Sequence, residues 1–189
     1  GNELDANSRR SLHQRFADIA LTEWAARQPV PLVNLARYHE GAGATDEATR
    51  WWLADADARL ATDPVAAQRS LERAAALAPP AKVGSIADRF LACATRLRRA
   101  DLALRWLPAA TGLSPGARTE CLTRAGADAA AIEFAQPLAA APFKGADHDD
   151  AIRVLRWLAE ALVAQGELGR ATDYATIAAA RARATGASS

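Results

Sequence analysis

The sequence predicts an all-α fold of about ten helices, paired as antiparallel hairpins. A short phrase recurs in it: a small residue placed where two helices would meet, with a proline twelve positions later, as Ala67 with Pro79, Ala103 with Pro115 and Ala130 with Pro142. A fourth version, Leu158-Ala159 with Gly166 and Ala171, lacks only the proline. Helical periodicity is nearly continuous, and no alternating apolar–polar run interrupts it. Composition agrees: 50% of residues are apolar but only 6% aromatic, and alanine, the best helix former, supplies much of the remainder.

Each element has its own signals. Ser8 caps a first helix over 8–28, which carries Leu12, Phe16, Ile19 and Trp24 and is stopped by Pro29 and Pro31. A second helix, 32–43, closes on Gly41-Ala42-Gly43, and Asp46 opens a third to about Thr62 with Trp51 and Trp52. Asp63-Pro64 is a cap with proline at the first helical position, starting a fourth helix that runs to Ala78. The fifth spans 81–98, and a sixth starts at Ala100-Asp101 and ends at Thr111-Gly112. Ser114-Pro115 starts a seventh, and Gly126 divides it from an eighth that ends at Pro142 and should kink or split at Pro137. Residues 143–146 read as a loop; Asp147 caps a ninth helix to Gln165, and Gly166 links it to a tenth ending near Gly186. Short connections pair these helices into five hairpins.

The segment Trp157-Leu158-Ala159, Gly166, Leu168, Ala171, Tyr174 and Ala178 resembles a tetratricopeptide repeat, which sets a large and a small residue in its first helix, glycine at the turn and alanines in its second. Trp51 with Ala67, Leu71, Ala74 and Pro79 reads the same way, and so does Leu35-Ala36 with Gly43, Ala48 and Trp52. The resemblance implies a right-handed superhelix, an α-solenoid. The array is irregular: corresponding alanines lie 36, 27 and 41 positions apart where a regular array gives about 34, and Arg98 stands where a turn glycine belongs. Residues 12–80, with Leu12-His13-Gln14-Arg15-Phe16-Ala17, the run Leu35 to Gly43 and Arg50-Trp51-Trp52, are similar to the helical segment of bacterial signalling ATPases and transcription regulators of the STAND class. That implies a sensor or partner-binding piece of a multidomain switch. The ATPase itself is not represented, for no Gly-rich loop ends in Lys-Ser or Lys-Thr.

With Gly1 first and no methionine, the chain reads as a domain cut from a longer protein, 1–186 forming one repeat domain and 187–189 a tail. Charge is balanced, 23 basic against 22 acidic residues, which argues against a nucleic-acid partner. No run of 18 apolar residues suggests a membrane span. Cys93 and Cys121 lack metal-site spacing and read as free thiols in a reducing cytoplasm. No cofactor or metal is expected: Asp147-His148-Asp149-Asp150 reads as helix-start carboxylates. His13 and His39 read as half-buried, hydrogen-bonded imidazoles. Trp24, Trp106 and Trp157 fall on apolar stripes and are expected in the core. Trp51 and Trp52 project about 100° apart, so one of them could line an inner surface.

No nucleophile–base pattern of an enzyme is present. The expected work is recognition of a protein, peptide or effector, an acidic one foremost, beside neighbouring domains of a parent protein. In the tetratricopeptide-like frame the residues carried onto the concave groove are Trp52, Arg59, Asp88, Arg96, Arg153, Arg156 and Glu160, since arginine clamps carboxylates bidentately. The alternatives are a scaffold forming homo-oligomers through exposed apolar residues of helices one or ten, and a helical small-molecule-binding or enzymatic domain.

Overall fold

The computed structural model describes residues 5–140 and 148–186, so the expected Pro142, loop 143–146, Asp147 cap and tail 187–189 lie outside the described residues. Among the described residues there are ten α-helices and no strands: α1 (Ala6–Ala25), α2 (Leu32–Gly41), α3 (Thr45–Arg59), α4 (Pro64–Leu77), α5 (Val83–Leu97), α6 (Ala100–Trp106), α7 (Pro115–Arg124), α8 (Asp128–Ala140), α9 (His148–Ala164) and α10 (Leu168–Gly186). None of the described helices is long and apolar enough to cross a membrane.

Most boundaries follow local chemistry. The Asp63 carboxylate accepts from the Ala66 N–H, and the Ser114 hydroxyl from the Ala117 N–H, with Pro64 and Pro115 opening their helices as expected. The cap of α1 is Asp5 and not Ser8: its carboxylate takes the N–H groups of Asn7 and Ser8 at 2.8 and 2.9 Å. The sixth helix is shorter than expected because Pro108 supplies no N–H, and residues Leu107–Ala109 tighten into a 3-10 turn. In contrast, α8 continues through Pro137. After α5, Arg98 adopts φ 53° where Gly126 and Gly166 adopt 83° and 80°. The missing turn glycine is thus replaced by a strained arginine, at a cost of about 1 kcal/mol.

The chain divides into two compact units, residues 1–89 and 90–189, and the division falls inside α5. In the first unit α1 packs on α2, α2 on α3 and α3 on α4. Because α3 has neighbours on both sides, Trp51 and Trp52 are both buried, at 8% and 5% exposure. The α1–α2 contact is close: a β-carbon on Gly41 would lie 2.5 Å from the His13 ring. Trp24 is not a core residue; it is 44% exposed and meets Trp51 edge-on at 5.9 Å. The imidazoles depart from expectation too, since His39 is buried with neither ring nitrogen bonded and His13 Nδ1 has no partner.

Burial holds the His39 pKa below its ordinary value of 6.5, with Glu47 and Asp18 opposing that trend and Arg50 reinforcing it. A depressed imidazole pKa means that the unfolded chain takes up a proton which the folded one resists. Stability should therefore be intact above about pH 6.5 and fall as the pH drops below it. Urea midpoints at pH 7.5 and 5.5 test this: the fall should be smaller in His39→Leu than in the unchanged chain, and equal falls would assign the loss to the carboxylates.

In the second unit α9 packs against α7, α8 and α10. Its apolar face, Val154, Leu158 and Leu162, closes on Ala135 of α8 and Ala171 of α10. The small residue of the third repeated phrase is displaced by one, for Ala131 is fully buried and Ala130 only partly so. Trp106 and Trp157 are half-buried, not fully core as expected. Trp106 stacks on the buried Phe90 at 4.2 Å and 7°.

Candidate functional site

Three consecutive helices of the first unit build a cleft of about 500 Å³. Its α2 wall presents Val33, Arg37 and Glu40, residues three and four apart on one face. From α3 come Trp52, Asp55 and Arg59, and from α4 Ala66, Arg69, Ser70 and Arg73. Four guanidinium groups thus meet two carboxylates around one cavity.

Both carboxylates are already engaged. Asp55 is 3% exposed; it accepts from Ser70 Oγ at 2.6 Å and from Arg59 Nε at 2.9 Å. Glu40 accepts from the Trp52 indole N–H at 3.0 Å and pairs with Arg73. These contacts tie α3 to α4 and α2 to α4, so the cleft is held open by its own polar network. Arg37 and Arg69 are exposed and make no ion pair with any described residue. With two charges compensated and two not, the cleft carries an excess of positive charge on an ordered frame. It can hold an anion by charge-assisted, bidentate hydrogen bonds.

Sequence reasoning found two members of this cleft, Trp52 and Arg59, and missed Arg37, Arg69 and Arg73. Trp52 forms the floor, its indole bonded to Glu40, and does not project as an aromatic anchor. Arg37 could have been found from its three-residue spacing to Glu40 on a helix whose other face is Leu35, Ala36 and His39. Arg69 and Arg73 flank the buried Ser70 and Ala74, a signal that only a helix neighbour on that side makes meaningful.

The remaining candidates are not gathered at one place. Asp88, in the first unit, is half-buried, and Arg96, in the second, is exposed; neither borders the cleft. In the second unit Arg156 and Glu160 border an open groove between α9 and α10, whereas Arg153 lies beside Gly116 at the start of α7. The three do not form one cluster: Arg153 and Arg156 differ by only about 60° around the helix, but the Arg153 β-carbon meets Gly116 of α7 while Arg156 and Glu160 border the groove toward α10. Asp150 is a structural carboxylate: it reaches from α9 to the start of α7, where it accepts from Ser114 Oγ and the Gly116 N–H. Cys93 is buried and Cys121 half-buried. No protein-family model, curated protein or solved structure matches the chain.

Proposed function

We propose that the chain is a recognition module: a stack of helical hairpins, of tetratricopeptide-like type, that binds an acidic protein segment or effector within a larger bacterial regulatory protein. The observation that carries this reading is the α2–α4 cleft with its two uncommitted arginines, Arg37 and Arg69. In a right-handed superhelix such a cleft would belong to the concave wall. The contacts of α9 with α7, α8 and α10 are of the kind successive hairpins make, and they support that architecture. The resemblance of residues 12–80 to STAND-class segments supports a signalling setting, and a chain with only two cysteines suits the cytoplasm. Ligand engagement would then bias a neighbouring switch domain.

The test uses a fluorescein-labelled Glu/Asp-rich peptide, followed by anisotropy at low salt. The unchanged chain should bind it, and raising the salt should weaken binding. Because Arg37 and Arg69 are exposed, Arg37→Ala/Arg69→Ala should keep its helical circular dichroism. Hydrogen bonds to charged groups contribute about 1.5–3 kcal/mol each, so the double variant should bind roughly 100-fold more weakly. Equal affinity in both proteins would remove the cleft from consideration.

A further inference from the structure

A second surface, independent of the arginine cleft, is apolar. Helices α9 and α10 leave between them an open groove of about 600 Å³, floored by small side chains such as Ala175 and Ala178. Its apolar rim includes Val163 and Leu168, 51% and 62% exposed, and its charged rim is Arg156 followed one turn later by Glu160. Elsewhere on the chain α1 carries a partly open apolar ridge: Leu12, Phe16 and Ile19 are 40%, 42% and 55% exposed and follow one another at four- and three-residue steps, with one side of the Phe16 ring stacked on Tyr38 at 5.4 Å. Exposed Arg15 and Glu23 flank that ridge, and neither has an ion-pair partner among the described residues.

We propose that the α9–α10 groove receives helix α1 of a second copy of this chain, laid antiparallel to α9. An alanine floor lets a helix approach to about 8 Å, the short end of helix–helix packing distances. Charge fixes the direction. An antiparallel α1 brings Glu23 to Arg156 and Arg15 to Glu160, whereas a parallel one would face like charges. Arg15 and Glu23 are separated by about 12 Å along their helix and Arg156 and Glu160 by about 6 Å, a difference that their long side chains span. The contact is heterologous, ridge to groove, so each copy keeps one ridge or groove free for another. Three helical turns bury less than the about 1,600 Å² of a standard stable interface, so assembly belongs to high protein concentration.

Sedimentation equilibrium of the whole chain, up to several hundred micromolar, tests this. The weight-average mass should climb above the 20.0 kDa monomer. Ile19→Arg and Ala175→Arg each change an exposed position, and each alone should lose the climb. Mixed in equal amounts they should regain mass to twice the monomer and no further, because one intact ridge meets one intact groove. Arg37→Ala/Arg69→Ala should assemble like the unchanged chain, which separates this inference from the cleft reading. If either variant loses helical circular dichroism, Leu12→Glu and Leu168→Glu replace them. A chain that stays monomeric throughout overturns the proposal and leaves the groove to another occupant. Self-association that survives Ala175→Arg, or a mixture that remains monomeric, overturns it as well.

Discussion

Replacing Phe90 with alanine is expected to destabilise the chain by about 3–5 kcal/mol. The ring has no solvent exposure, and it stacks on Trp106 at 4.2 Å with an interplanar angle of 7°. Both the transfer of the removed ring and the cavity left under Trp106 contribute. Ala94, one turn further along α5, is itself fully buried and has no side-chain length with which to fill the void. Measured as a shift in the urea midpoint at constant m, the loss would be a large fraction of a typical 5–15 kcal/mol stability. Phe90→Leu, which keeps most of the volume, should cost markedly less. A loss under about 1.5 kcal/mol in the alanine variant would mean that the site collapses freely, and that Trp106 is not held by the ring.

Asp150→Ala should follow closely, at about 3 kcal/mol. This carboxylate is 8% exposed although it sits in the first turn of α9. Its oxygens accept the Gly116 N–H at 3.1 and 3.0 Å and the Ser114 hydroxyl, and that hydroxyl accepts the Ala117 N–H at 3.3 Å. One side chain therefore satisfies the start of a different helix, where the N-terminal partial charge favours an anion. Gly116 makes the approach possible, since an added β-carbon would lie 2.9 Å from both the Asp150 carbonyl oxygen and the Arg153 β-carbon. Alanine at 150 leaves buried donors without acceptors, which costs more than the loss of an exposed cap. Asp150→Asn keeps an acceptor and should recover part of the stability. Equal thermal midpoints for Asp150→Ala and the unchanged chain would show that water replaces the carboxylate at no cost.

Helix identity was legible because it is written locally. Proline at the first helical position after Asp63 and after Ser114, glycine after α7 and α9, and alanine-rich periodicity each act within about one turn, so the expected helix starts fall within a few residues of the observed ones. The misreadings occur where two local signals compete. Asp5 outbid Ser8 for the first cap because a carboxylate accepts two N–H groups at once, and Pro108 closed α6 before its glycine was reached.

The candidate site was only partly legible, and the cause is geometric. A helix shows its own periodicity but not the neighbour that each face meets. Trp51 and Trp52 could not be assigned until α3 was seen to pack on both α2 and α4, which buries both indoles. Arg69 and Arg73 carry no signal of their own in the sequence, and gain meaning only where α2 brings Arg37 and Glu40 to the same cleft. Arg153 and Arg156, adjacent in pattern, went to different surfaces because α7 and α10 flank α9 on different sides.

The all-helical class, most helix boundaries and the buried small residues, such as Ala67, Ala103 and Ala171, can be read from the chain directly, for they depend on backbone hydrogen bonding and side-chain volume. Which arginines share a cavity, which carboxylate caps a helix other than its own, and which apolar ridge stays partly open follow from how the helices pack. Those properties depend on distances between residues 15 to 36 positions apart, and no local rule carries that information.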